Sequence, residues 1–198
     1  SAAALDRDYE IEGYDIKMDV GEDNSYQITE IIDIRFNVQR HGIIRSIPLV
    51  TNTGRMARIT GVEVGGHDYE AYRDSGNLNI RIGDPDWFAR ENERYVISYV
   101  FHMGNDGVDG FDEFYFNLVG LEWDVRVGNV SFDISMPGEF DASKLKFTYG
   151  EAGSRVTSDV EYSVKGNRIT GWLNGELAPG QALTVALPLP EGYFSGKD

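Results

Sequence analysis

Apolar residues recur at every second position along most of this chain, and that alternation limits the fold more than any other feature. Tyr14, Ile16, Met18 and Val20 alternate with Asp15, Lys17 and Asp19, the pattern of a half-buried strand. The polar turn Gly21-Glu22-Asp23-Asn24 follows. Tyr26, Ile28, Ile32, Ile34 and Phe36 then hold one face of a second strand, with Thr29, Ile31, Asp33 and Arg35 on the other. Two such runs across a short turn predict a hairpin. The same period returns in Leu78-Ile80-Ile82, Tyr95-Ile97-Tyr99-Phe101, Val130-Phe132-Ile134-Met136, Val160-Tyr162-Val164 and Leu183-Val185-Leu187. Turn clusters separate these runs, among them Val64-Gly65-Gly66-His67, Asp74-Ser75-Gly76-Asn77, Lys165-Gly166-Asn167 and Ala178-Pro179-Gly180. Many short strands at roughly 8–12-residue spacing predict an all-β fold, an antiparallel β-sandwich of Greek-key or jelly-roll type. Only the segment from Asp84 to Arg90 carries a helix-start signal, with Asp84 as cap and Pro85 at the first position, and it is long enough for one turn. No stretch suits a crossover helix, which argues against a parallel α/β sheet.

At 198 residues, 41% of them apolar and 12% aromatic, the chain can bury a real core. A single domain over residues 9–194 is expected, with 1–8 as a flexible or leftover start and 195–198 as a tail. The start, Ser1-Ala2-Ala3-Ala4, reads as a cloning remnant or as the residues following a removed signal peptide. The net charge of −15, from 33 acidic and 18 basic residues, repels phosphate backbones and anionic lipid, which sets nucleic-acid binding aside. With no cysteine, disulfides, thiolate metal sites and cysteine nucleophiles are excluded. No run approaches the roughly 20 apolar residues that span a bilayer.

Candidate chemistry is sparse. The most acidic loop, from Asn105 to Glu113, offers Asn105, Asp106, Asp109 and Asp112 as oxygen donors for calcium. An EF-hand register fails, because Phe116 falls where the bidentate glutamate belongs, so a self-solvated loop is the plainer reading and no other cofactor is expected. Asp74-Ser75-Gly76 matches the aspartic-protease tripeptide but lacks the apolar flank and second copy that chemistry requires. His41, His67 and His102 share no ligand spacing, and no G-x-S-x-G elbow is present. Paired carboxylates for sugar hydrolysis would arise by chance among 33 acids. Trp87, Trp123 and Trp172 could stack on sugars or simply fill a core. The segment His41-Gly42-Ile43-Ile44-Arg45-Ser46-Ile47-Pro48 places Arg45 among apolar residues. An arginine there needs a partner, and Glu30 in the preceding strand is one candidate; the position reads as a structural ion pair or as an anion or peptide contact.

These segments carry a family resemblance. Tyr26-x-Ile28-Thr29-Glu30 followed by Gly42 to Pro48 resembles the opening of the DUF2207 family of predicted membrane proteins. The run Asp112-Glu113-Phe114-Tyr115-Phe116-Asn117-Leu118-Val119-Gly120-Leu121-Glu122-Trp123 resembles that family's D-E-hydrophobic-Y-W-N-x-x-G-x-x-W signature, with Phe116 where tryptophan is expected. Met136-Pro137, the Gly150 to Ser154 turn and the Leu177 to Val185 closing strand follow in matching order. The resemblance implies a signal peptide, an extracytoplasmic domain, transmembrane helices beyond this segment, and a location on the outer face of a bacterial cell membrane. It brings no catalytic residues. The expected function is a non-catalytic interaction domain binding an envelope polymer or a partner protein. A carbohydrate-active enzyme using an acidic pair, and a structural spacer, are the alternatives. Arg45, Glu30, Asp112, Glu113, Asn117 and Trp123 are the expected contact residues.

Overall fold

The structure, a computed structural model, describes residues 7–105 and 109–196. The predicted hairpin is its spine. β1 (Tyr9–Val20) and β2 (Ser25–Phe36) pair antiparallel from Val20 opposite Tyr26 to Tyr9 opposite Phe36, with one register shift between Ile11 and Gly13. Asn24 closes the turn in the left-handed region, at φ 59°, a conformation asparagine tolerates better than most residues. Its buried amide donates to the Gly104 carbonyl at 2.8 Å and accepts from the Tyr26 hydroxyl at 2.8 Å.

β7 (Asn92–His102) lies antiparallel to β2, and β4 (Arg58–Val64) lies outside β7. On the other flank β1 runs parallel to β10 (Val130–Ser135) and to the short β9 (Val127–Gly128). β13 (Arg168–Leu173) and β12 (Val160–Lys165) extend that flank, and β14 (Glu176–Leu177) pairs with β9, completing a nine-stranded sheet. The fold is therefore all-β and mainly antiparallel, as alternation predicts, with β1 as the strand that also pairs in parallel.

Two three-stranded sheets cover the inner face of this large sheet. One orders as β3 (Gly42–Pro48), β6 (Asn77–Gly83) and β5 (Tyr69–Asp74). The other orders as β11 (Lys146–Gly150), β15 (Ala182–Pro190) and β8 (Phe111–Val119). The first reaches the large sheet through Arg45, which bonds Glu30 of β2. The second packs Phe114 and Phe116 edge-on against Tyr26, with centroids 5.4 Å apart in both cases, and stacks Phe147 on Phe132 at 4.7 Å. A layer built from two separate sheets leaves a seam between them, and that seam positions the candidate site.

Local signals resolve as follows. Asp74-Ser75-Gly76-Asn77 is a two-residue hairpin loop with Ser75 at φ 54° and Gly76 at φ 79°, the backbone of a type I′ turn. The segment after Asp84 forms one hydrogen-bonded turn, with the Trp87 amide on the Asp84 carbonyl at 3.3 Å, and no helix. The single helical element among the described residues is a 3-10 turn at Ala142–Lys144. Among them, no helix is long and apolar enough to cross a membrane.

Candidate functional site

Glu30 sits at the centre of the large sheet, opposite Ile16 on β1 and Ile97 on β7. Its side chain falls on the buried face because the β2 alternation puts every even-numbered residue there. An ionised carboxylate in that position needs a full set of partners, and three residues supply them. From β3, Arg45 donates Nε to Oε1 and Nη2 to Oε2 of Glu30, both at 2.9 Å. The Tyr14 and Tyr99 hydroxyls donate to Oε2 at 2.9 and 3.0 Å. Burial pushes both tyrosines well above their ordinary pKa, which keeps them as donors.

The remaining Arg45 donor, Nη1, reaches the Ser46 carbonyl at 2.7 Å and Glu122 Oε1 at 2.9 Å. Burial disfavours the guanidinium charge, but Glu30 beside it holds the pKa well above the ordinary value. The guanidinium also lies over the Trp123 ring, 5.2 Å from its centroid. Gly120 makes room for this arrangement, since a Cβ there would lie 2.1 Å from a Glu122 carboxylate oxygen. One arginine thus ties the β3-β6-β5 sheet to the large one, and both to the loop that follows β8, through a satisfied, bidentate network.

A groove of about 750 Å³ opens above this network. Arg45, Glu122, Tyr99 and Phe101 lie at its base. On the outer face of the β11-β15-β8 sheet, Asn117, Thr184 and Thr148 form one cross-strand row and Tyr115, Ala186 and Lys146 the next. Thr184 Oγ1 donates to Asn117 Oδ1 at 2.7 Å.

The structure thus brings Arg45, Glu30 and Trp123 together and sets Asn117 in the adjoining groove. It separates the other two expected contact residues. Asp112 is fully buried and accepts from the Phe194 amide at 2.8 Å, while Glu113 accepts from Asn52 Nδ2 at 3.2 Å at the surface. Of the calcium donors, Asp106 lies outside the described residues, Asn105 and Asp109 are exposed, and Asp112 points into the core. Among the described residues no group of three or more His, Asp or Glu is placed to hold a metal. The histidines are apart. His41 stacks on Phe88, His67 packs on Tyr95, and His102 bonds Thr60. Sequence reasoning missed Tyr14, Tyr99 and Glu122. The two tyrosines occupy ordinary core positions in the alternation, so nothing local separates them from packing aromatics.

The chain matches the family described as "Predicted membrane protein (DUF2207) N-terminal domain" over residues 10–187. No curated protein matches it. Among solved structures it is similar to native leukotriene A4 hydrolase from Saccharomyces cerevisiae, with TM-score 0.56 and 9% identity over 91% of this chain and 29% of that one. The bestatin complex of the yeast enzyme gives TM-score 0.53 and 8% identity, covering 90% of this chain and 28% of that one. The chain therefore spans less than a third of those proteins, and at such identity the likeness is one of fold. The family match covers most of the chain, and the chain belongs to the DUF2207 N-terminal domain family of predicted membrane proteins.

Proposed function

We propose that this domain is a non-catalytic interaction module on the extracytoplasmic side of a membrane-anchored bacterial protein, with the seam groove as its contact surface. The groove carries the reading. Its volume falls within the range of ligand sites, and it is lined by small polar residues, tyrosines and exposed apolar side chains. The ionic network beneath it is occupied by its own partners, since both Glu30 oxygens accept from Arg45 and the tyrosines. Among the described residues no tryptophan lines the groove, and of its two carboxylates Glu122 is held by Arg45, which favours holding a partner over hydrolysing a sugar.

Both halves of the proposal are testable. Filling the groove with Thr184→Trp should abolish retention of purified cell-wall sacculi or envelope protein by the chain, while Trp172→Ala leaves it intact. Equal retention by both variants, or release of cleaved products, would overturn the reading. For location, this domain carries no cysteine, so Trp87→Cys in the full-length protein can be labelled with a membrane-impermeant maleimide and read against the same protein without the substitution. Labelling of intact cells is expected, and labelling only after lysis would reverse the assignment.

A further inference from the structure

Among the described residues the nine-stranded sheet ends in two strands that each pair on one side only, β4 and β12, and the two edges are built differently. β4 is broken by a register shift between Thr60 and Glu63, with Gly61 at φ 65°, and a bulge of this kind turns an edge away from neighbours. β12 pairs with β13 without a break from Val160 to Lys165. It carries no proline and no inward-turned charge, and none of its six residues is fully buried. In an antiparallel pair, residues alternately bond to their partner and turn their N–H and C=O away from it. Lys165 and Arg168 close the two-residue Gly166-Asn167 loop, which makes them a bonded pair. Counting back from them, Val160, Tyr162 and Val164 leave their backbone groups on the free edge. Among the described residues no backbone hydrogen bond from elsewhere reaches them.

The side chains of β12 fit a second copy of the same strand. Two copies related by a two-fold axis normal to the sheet pair antiparallel, and facing residues must lie on the same face of the sheet. Centred on Ser163, that register sets Ser163 against its own copy. It sets Tyr162 against Val164 and Glu161 against Lys165, each pair occurring twice. Opposite charges then meet on one face, an aromatic meets a β-branched side chain on the other, and a small residue sits at the axis. Cross-strand pairs of these kinds stabilise a sheet. The outward backbone groups of Tyr162 and Val164 face each other as bonded pairs. Among the described residues neither Glu161 nor Lys165 has an ion pair within the chain. Tyr162 and Trp172, which faces Glu161 from β13, are 44% and 52% exposed, apolar surface that the second copy would flank. Centring the pair on Tyr162 instead would set Glu161 against Ser163 and lose both Glu161–Lys165 contacts. We propose that two copies of this chain associate through β12, antiparallel about Ser163, and join their large sheets into one. No residue of β12 lines the groove, so this contact stands apart from the interaction reading above.

Sedimentation of the chain over a concentration series reaching about millimolar tests this, since a short edge contact is weak and mass action governs it. A monomer–dimer equilibrium is expected. Glu161→Lys sets lysine against lysine, and Lys165→Glu sets glutamate against glutamate, so each variant alone should dimerise about tenfold more weakly. Mixed together, the two variants regain both opposite-charge pairs and should form a heterodimer as tight as the unmodified dimer. Both side chains are exposed, so the variants are expected to fold. Ser163→Cys, in a domain without cysteine, should cross-link under mild oxidation, because residues facing each other in a non-bonded pair bring their Cα atoms to about 4.5 Å. Trp87→Cys should not cross-link. The inference fails if the chain stays monomeric across the series, if either single variant dimerises as well as the unmodified chain, or if the mixture does not recover the dimer. A dimer that cross-links through Trp87→Cys rather than Ser163→Cys uses another surface and overturns it as well.

Discussion

At the residue scale the most demanding position is Glu30, a charged side chain at 1% exposure in the middle of a sheet. Arg45 was legible as an oddity, because a lone cation inside an apolar run needs a partner, and Glu30 was an acid on the apolar face of the preceding predicted strand. The tyrosine donors were not legible, since alternation marks them as buried but is blind to where a hydroxyl points. The network makes an ordered prediction. Arg45→Met strands a buried carboxylate without a cation and should cost about 3–5 kcal/mol. Glu30→Gln keeps an acceptor for Tyr14 and Tyr99 and leaves Arg45 with Glu122, so about 1–3 kcal/mol is expected. Urea denaturation at neutral pH reads both. The reverse order would assign the stability of this site to the tyrosine hydrogen bonds rather than to the ion pair.

At the element scale, what could be read from sequence was local. The β1–β2 hairpin and the Ser75-Gly76 turn follow from strand period and turn chemistry within a few residues. The parallel register of β1 with β10, Tyr14 opposite Val130, joins segments far apart in sequence, and nothing in either strand's own pattern records its neighbour. The division of the covering layer into two sheets is hidden for the same reason, and with it the seam. Close approaches are a trace such pairings leave. At Gly171 on β13 a Cβ would lie 2.2 Å from the Glu161 carbonyl oxygen of β12 and 2.6 Å from the Phe132 ring. Phe132 stacks on Phe147, which in turn tilts against Tyr162. Gly171→Ala must therefore part β12 from β13 or unseat this aromatic stack, at about 1–3 kcal/mol. Hydrogen exchange should show Val160–Lys165 losing protection ahead of the β1–β2 hairpin. Uniform loss across both would mean that the large sheet yields as one unit.

For the whole molecule, acidity and titration set the response to pH. Among the described residues five carboxylates sit below their ordinary values, Asp23 and Asp141 through hydrogen bonds from Ser25 and Ser143 and the other three through arginines. Glu10 is held down by its hydrogen bond to Arg126 and Asp133 by that to Arg168, while at Glu93 the bonds from Arg90 outweigh burial. Their stabilisation is complete above the unfolded values of 4.5 for Glu and 3.8 for Asp, and is lost as pH falls through the lower folded values. His102 acts earlier. Burial, and then the Arg58 charge, depress it below 6.5, so between its folded value and 6.5 the unfolded chain binds more protons than the folded one. Stability must therefore fall as pH drops below 6.5, and this loss levels off once the folded imidazole is protonated too. Self-repulsion from the −15 charge works the other way, easing as acids neutralise. At 0.15 M salt, screening within about 8 Å reduces that opposing effect. The expected result is a two-step profile of urea midpoint against pH, with a small decline starting near 6.5 and a steeper one below 4.5. In His102→Gln the first step should disappear and the second remain, whatever the variant's absolute stability after losing the contact with Thr60. Parallel curves for the two proteins between pH 7.5 and 5 would show that protonation of His102 does not oppose folding.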